Sequence, residues 1–161
     1  MNQNDFLQKV FDMLALDEGI ERRPYDDSTG KAVKAPVGNL TIGVGRNLDA
    51  KPLSNSIILA ILKEDVNDAI QDVKAIIGER VWELLSDNRK MALINLAFSL
   101  GERGLRKFQR MLTAIIENDF KKAADELQQS LWAKQVDRRN LPLEGRDYRV
   151  IRLLRDDIYE Y

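Results

Sequence analysis

The sequence predicts an α+β fold with a small β-hairpin lobe, a larger helical lobe and a cleft between them. Helical periodicity runs over residues 4–18 and again from residue 54 onward. Between Arg22 and Arg46, by contrast, glycine, proline and short alternating runs gather. The length of 161 residues, 44% of them hydrophobic, fits one ordinary domain or two small lobes sharing a core. The predicted small lobe covers approximately 19–53, and the helical lobe takes 1–18 and 54–161.

The elements follow in order. Phe6, Leu7, Val10, Phe11, Met13 and Leu14 recur at helical spacing, with Asn4 or Asp5 as expected N-cap and Gly19 as the stop. Pro24, Gly30, Pro36, Gly38, Gly43 and Gly45 then interrupt the chain, and Leu40-Thr41-Ile42-Gly43-Val44 reads as a strand. Alternation gives Leu40, Ile42 and Val44 one face of it, and Thr41, Gly43 and Gly45 the other. Over residues 56–77 a single side carries Ile57, Ile58, Ile61, Leu62, Val66, Ala69, Ile70, Val73 and Ile77. A helix of about 22 residues spans roughly 33 Å, long enough to join two lobes. Gly78 ends it, a short helix follows around 81–85, and Ser86, Asp87 or Asn88 caps the next one. Residues 89–100 are apolar nearly all round, which places that helix mid-bundle. Gly101 and Gly104 bracket the turn after it, and 105–117, 120–127 and 146–158 supply further helices.

Composition narrows the chemistry. Net charge is -1, from 25 basic and 26 acidic side chains, which argues neither for nor against a polyanionic partner. Without a nucleic-acid motif, no nucleic-acid partner is expected. There is no cysteine and no histidine. Disulfides, thiol-bound metals and serine-histidine, cysteine-histidine or histidine-zinc catalysis are therefore excluded. Any enzyme built from this sequence moves protons with carboxylates. Met1 to Asp5 are polar, and Gln8, Lys9 and Asp12 interrupt the apolar residues that follow. Neither a signal peptide nor stable membrane insertion is expected, so synthesis would deliver the product to the cytoplasm.

Two carboxyls and one hydroxyl are candidates for the chemistry. Glu18 falls at the last turn of the first helix, where carbonyl groups disfavour an ionised carboxylate and help it hold a proton. Taken alone it is an ordinary exposed acid. Asp27 heads Asp27-Ser28-Thr29-Gly30 after the strand-like Pro24-Tyr25-Asp26, and alone it reads as a turn aspartate. Two carboxyls so placed can face one cleft, as glycosidases require, one protonated and one ionised. Asp26 competes for that place, but strand alternation lets only one of the two aspartates share a cleft with Glu18. Thr41, beside Gly43 and Gly45, offers a hydroxyl on a face open to a bulky ligand, unless those glycines merely serve tight turns.

In combination, Asp17-Glu18-Gly19, Tyr25-Asp26-Asp27 and Leu40-Thr41-Ile42-Gly43-Val44-Gly45 resemble the catalytic region of the T-even-type bacteriophage lysozymes, a glycoside hydrolase family. The resemblance continues through Ala92-Leu93-Ile94-Asn95 to Phe98, Gly101-Glu102, Ser130-Leu131-Trp132 with Gln135, and Arg146 with Arg149-Val150-Ile151. It implies a lysozyme-like fold, with Glu18 as proton donor, Asp27 rather than Asp26 as its partner, and Thr41 positioning the attacking water. Arg146 is the candidate to lie against Glu18, with Arg138 and Arg139 as competitors. Tyr25, Gly43, Trp132 and Gln135 are expected to support the site or touch substrate. The implied reaction is hydrolysis, with inversion, of the bond between N-acetylmuramic acid and N-acetylglucosamine. No metal or cofactor is required. The implied setting is a monomeric endolysin that reaches peptidoglycan once a holin opens the membrane. A lytic transglycosylase on the same bond, or a catalytically silent wall-binding virion component, are the rival readings.

The sequence departs from the family pattern in places. Extra residues within 28–40 lengthen the hairpin, the connection from Arg46 to the long helix is shorter, and an insertion falls near 136–144. Arg46 stands where the family commonly has histidine, a matter of stability rather than catalysis. Arg146, Arg149, Arg152 and Arg155 recur every three residues, a basic stripe read as a solvated helix face or as an attraction to an anionic envelope. Trp82 and Trp132 read as core residues that could otherwise stack on sugars.

Overall fold

The computed structural model describes residues 2–26, 29, 31–34, 38–136 and 145–159. Among them the chain runs α1 (Gln3–Glu18), β1 (Tyr25–Asp26), β2 (Lys31–Ala32), β3 (Thr41–Ile42), β4 (Arg46–Asn47), α2 (Asn55–Ile77), α3 (Glu79–Leu84), α4 (Asp87–Leu105), α5 (Gln109–Ile116), α6 (Phe120–Gln128), α7 (Leu131–Val136) and α8 (Arg146–Arg155). The fold is α+β, with the strands confined between the first two helices.

Helix α1 begins earlier than expected, because Asn2 rather than Asn4 is its N-cap. The Asn2 side chain accepts from the Asp5 amide at 2.9 Å. Asn2 caps as well as Asn4 would, and it places Asp5 in the first turn, where the helix dipole favours an acid. The helix stops where expected, at Gly19 with φ 80°.

Two antiparallel hairpins follow. In the first, Tyr25 pairs with Ala32 and Asp26 with Lys31. In the second, Thr41 pairs with Asn47 and Ile42 with Arg46. The strand expected to run to Val44 ends at Ile42. Gly43 (φ 58°) and Gly45 (φ 74°) turn the chain, leaving Val44 exposed at the tip. The glycines thus serve a tight turn rather than a ligand-facing strand surface. Arg46 donates to the carbonyls of Lys51 (3.1 Å) and Pro52 (2.5 Å), tying down the short connection that leads to α2. Arg22 and Leu53 exchange two hydrogen bonds, which close the strand region onto its own exit.

The apolar stripe of α2 is core in only its second half. Val66, Ala69, Val73 and Ile77 are buried, whereas Ile57, Leu59 and Ile61 are exposed. The helix therefore emerges from the helical bundle toward the hairpins, as a connecting helix should. Ser86 caps α4, whose residues from Met91 to Ala97 are all buried. Gly101 interrupts that helix after Leu100, as expected. At φ 64° and ψ 171° it makes a kink, beyond which the helix resumes to Leu105. Helices α1, α2 and α8 pack against α4, and α5, α6 and α7 complete the bundle. Each fully buried Leu, Ile or Met there contributes roughly 1.5–3 kcal/mol relative to an exposed one. Trp82 and Trp132 both lie in this core. After α8, Asp157 accepts from Ser86 Oγ at 2.6 Å and anchors the last described residues to the start of α4. Among the described residues no helix is long and apolar enough to cross a membrane.

Candidate active site

Val10, Met13 and Leu14 bury one face of α1 and pack the helix on α4 and α2, and the Asp17 and Glu18 side chains of its final turn reach α8. Successive helix positions point in different directions, so Asp17 and Glu18 meet different surroundings. The Asp17 side chain is wholly buried, at 0% exposure, whereas that of Glu18 is 36% exposed. One carboxyl is sealed in and its neighbour faces out.

Two arginines from α8 meet them. Arg146 Nη1 donates to Glu18 Oε1 at 2.5 Å, and Arg149 Nη2 donates to Asp17 Oδ1. Between these pairs stands Asn95, fully buried in α4. Its Nδ2 donates to Asp17 Oδ2 at 2.8 Å and its Oδ1 accepts from Arg146 Nε at 2.9 Å. Arg146 Nη2 donates to Ser99 Oγ, and Ser99 donates in turn to the Asn95 carbonyl at 2.8 Å. Burying charges is tolerable only when they are paired and hydrogen-bonded, and here two cations meet two anions. Glu18 sits where the α1 carbonyls repel negative charge and a guanidinium attracts it.

Glu18 lines a groove of about 290 Å³ between α1 and α2, with Phe11, Leu14, Ile58, Leu62 and Phe98 as apolar walls. Asp65 stands on the same rim. Burial, and then the charges of Asp68 and Glu64, raise its carboxyl above the ordinary 3.8. Ile20 also lines a second groove, of about 510 Å³, with Arg22, Arg23, Tyr25, Ala32 and Pro52. Ile20 is common to the two grooves; Glu18 lines the first and Tyr25 the second.

The other candidates are distributed as follows. Thr41 is exposed on β3 and donates to the Asn39 carbonyl at 3.2 Å; among the described residues no hydrogen bond joins it to Glu18. Gly43 forms the hairpin turn beside it. Asp27 lies outside the described residues, as do Arg138 and Arg139. Trp132 is buried, and its edge lines a groove of about 490 Å³ with Phe108, Met111 and Leu131. Gln135 is exposed on α7. Among the described residues no group of acidic side chains is arranged to hold a metal ion.

The arginine stripe is not a solvated face. Arg146 and Arg149 turn inward to Glu18 and Asp17, Arg152 pairs with Asp156 and Arg155 with Asp125. A three-residue repeat drifts around a helix of 3.6 residues per turn, so the stripe passes from the buried side toward the rim. Sequence reasoning did not single out Asp17, Asn95, Ser99 or Arg149 for a role. An asparagine inside the apolar run from Met91 to Ala97 was the available signal, because a buried amide demands partners.

The helical scaffold, with short hairpins beside the end of its first helix, is a lysozyme-like α+β fold. The chain belongs to the phage lysozyme family, whose pattern matches residues 16–147. It is 33% identical over 144 residues to the pre-baseplate central spike protein Gp5 of Enterobacteria phage T4, an alignment covering 78% of this chain and 25% of that protein. The chain thus spans about a quarter of the spike protein's length. It is 29% identical over 148 residues to the Dictyostelium discoideum protein described as "Probable T4-type lysozyme 2", covering 80% of this chain and 87% of that one. A second Dictyostelium discoideum protein, "Probable T4-type lysozyme 1", is 25% identical over 153 residues, covering 83% and 90%.

Proposed function

We propose that the protein is a muramidase that hydrolyses the β-1,4 bond between N-acetylmuramic acid and N-acetylglucosamine in peptidoglycan. One observation carries the reading. The Glu18 carboxyl is held by Arg146 at the open end of α1, while its neighbour Asp17 is shut away from substrate.

In this reading residues 19–53 form the small lobe and 1–18 with 54–161 the helical lobe. Glu18 gives its proton to the glycosidic oxygen, which leaves with the bonding electron pair. Asp27 and Thr41 hold a water on the opposite face of the sugar ring. Asp27 accepts a proton from that water as its oxygen bonds the anomeric carbon, so configuration inverts. Such inversion requires carboxyl groups roughly 6.5–9.5 Å apart, with space for the water. Once Glu18 has given up its proton, Arg146 faces the new negative charge. Tyr25, Gly43, Trp132 and Gln135 would contribute along the saccharide path. Mass spectrometry of digested peptidoglycan tests the reading. Products one water heavier than the cleaved bond support hydrolysis, whereas anhydro sugars mark a lytic transglycosylase and unchanged glycan a silent binding protein.

The setting follows from the same reading. As an endolysin, the protein would be made in the host cytoplasm and act on the wall, as a monomer, after a holin opens the membrane. The similarity to a central spike protein favours a second setting, a lysozyme domain carried on the virion. Immunoblotting of purified virions separates the two, since only the second predicts the protein in the particle.

A further inference from the structure

We propose that Ser99 is a positioning residue for the proton donor, acting through Arg146; the inference rests on the muramidase reading above. Arg146 is gripped on two sides before it reaches Glu18. Asn95 Oδ1 receives its Nε at 2.9 Å, and Ser99 Oγ receives its Nη2. Both grips have a fixed sense. The Asn95 amide cannot flip, because its Nδ2 is committed to Asp17 Oδ2 at 2.8 Å. The Ser99 hydroxyl proton is committed to the Asn95 carbonyl at 2.8 Å, so only its lone pairs face the guanidinium. Nη1 is thereby aimed at Glu18 Oε1, 2.5 Å away.

The two grips differ in setting. Asn95 is fully buried and inseparable from the fold, while Ser99 lies at the surface one helical turn further on. Ser99 is therefore the member whose loss frees the guanidinium without opening the core. When Glu18 passes its proton to the glycosidic oxygen, the carboxylate left behind needs a cation already in place. A guanidinium that must first reorient stabilises that charge less. The group touching substrate is Glu18; Ser99 sets the aim of the residue behind it.

The test measures initial rates of reducing-end release from purified peptidoglycan over a range of substrate concentrations. It compares wild type with Ser99→Ala, Ser99→Thr and Glu18→Gln. Losing one hydrogen bond to a charged group should lower kcat about tenfold or more in Ser99→Ala, with KM nearly unchanged and Tm lowered by a few degrees at most. Ser99→Thr keeps the hydroxyl and should retain most of the wild-type kcat. A wild-type kcat in Ser99→Ala, or a loss confined to KM, overturns the assignment, as does a Ser99→Thr no better than Ser99→Ala. The two readings fail separately. An inactive Glu18→Gln beside a fully active Ser99→Ala sinks only the role of Ser99. An active Glu18→Gln removes Glu18 from the proton-donor role and this inference with it, whereas a wild type that releases no reducing ends removes the muramidase reading.

Discussion

Arg146 Nη1 stands 2.5 Å from Glu18 Oε1, so the last described helix holds the end of the first across 128 positions of sequence. Neither helix alone could place the carboxyl. The grip depends on α8 packing against α4, and on α4 presenting one amide and one hydroxyl in register. Stability and the candidate chemistry therefore meet in one cluster, and they can be separated by choosing which acid to remove.

Asp17 is the structural member of the pair. Its side chain is fully buried and answers both Arg149 and Asn95. Asp17→Ala leaves those partners buried without their acceptor and should cost about 3–5 kcal/mol. Urea unfolding measures this. A loss below about 1 kcal/mol, the size typical of an exposed pair, would show that the cluster is wet rather than sealed.

Asp65 gives a pH signature. Its carboxyl is raised above 3.8 by burial first, then by Asp68 and Glu64. The folded chain consequently binds that proton more readily than the unfolded chain does. Stability from this group is greatest at pH below 3.8 and falls as pH rises through the higher folded value. Asp65→Asn should thus raise Tm at pH 7, with the advantage closing toward pH 3. An advantage independent of pH, or a lower Tm at pH 7, would contradict the assignment.

Gly101 tests the kink in α4. Its φ is 64°, and a Cβ added there would meet nothing within 4 Å. Gly101→Ala should cost about 1–3 kcal/mol through backbone conformation alone, because at ψ 171° the residue lies in a region essentially restricted to glycine. Thermal unfolding should register this as a loss of roughly 2–12 °C. An unchanged Tm would mean that the helix straightens through that position without penalty.

The two aspartates after Tyr25 are separable by activity. Asp27→Asn should abolish release of reducing ends, while Asp26→Asn should retain most of it. Equal losses in both variants would leave Asp27 without a distinct role.

Much of this arrangement is legible in the sequence because local rules dominate it. Gly19 and Gly78 stop helices at positive φ, Ser86 caps α4, and an all-round apolar segment proves to be the bundle's centre. Arg146 also lies against Glu18, as the family resemblance implies. Where the expectations fail, tertiary contacts or near-equal local options decide. Asn2 and Asn4 are equivalent caps on paper. Gly43 and Gly45 fit both a strand face and a turn, and the turn wins because both need positive φ. Arg146 and Arg149 look like surface because the acids that absorb them, Glu18 and Asp17, are more than a hundred residues away. Ser99 carries no sequence signal of its own; only its place one turn beyond Asn95 reveals it.

The most direct measurement is reducing-end release from peptidoglycan by Glu18→Gln beside wild type, with circular dichroism confirming an intact fold in both. General acid catalysis is worth about 10²–10⁴-fold, so the variant should fall to 1% of wild-type activity or less. A folded Glu18→Gln protein that keeps more than about 5% of the wild-type rate would contradict the role of Glu18 as proton donor.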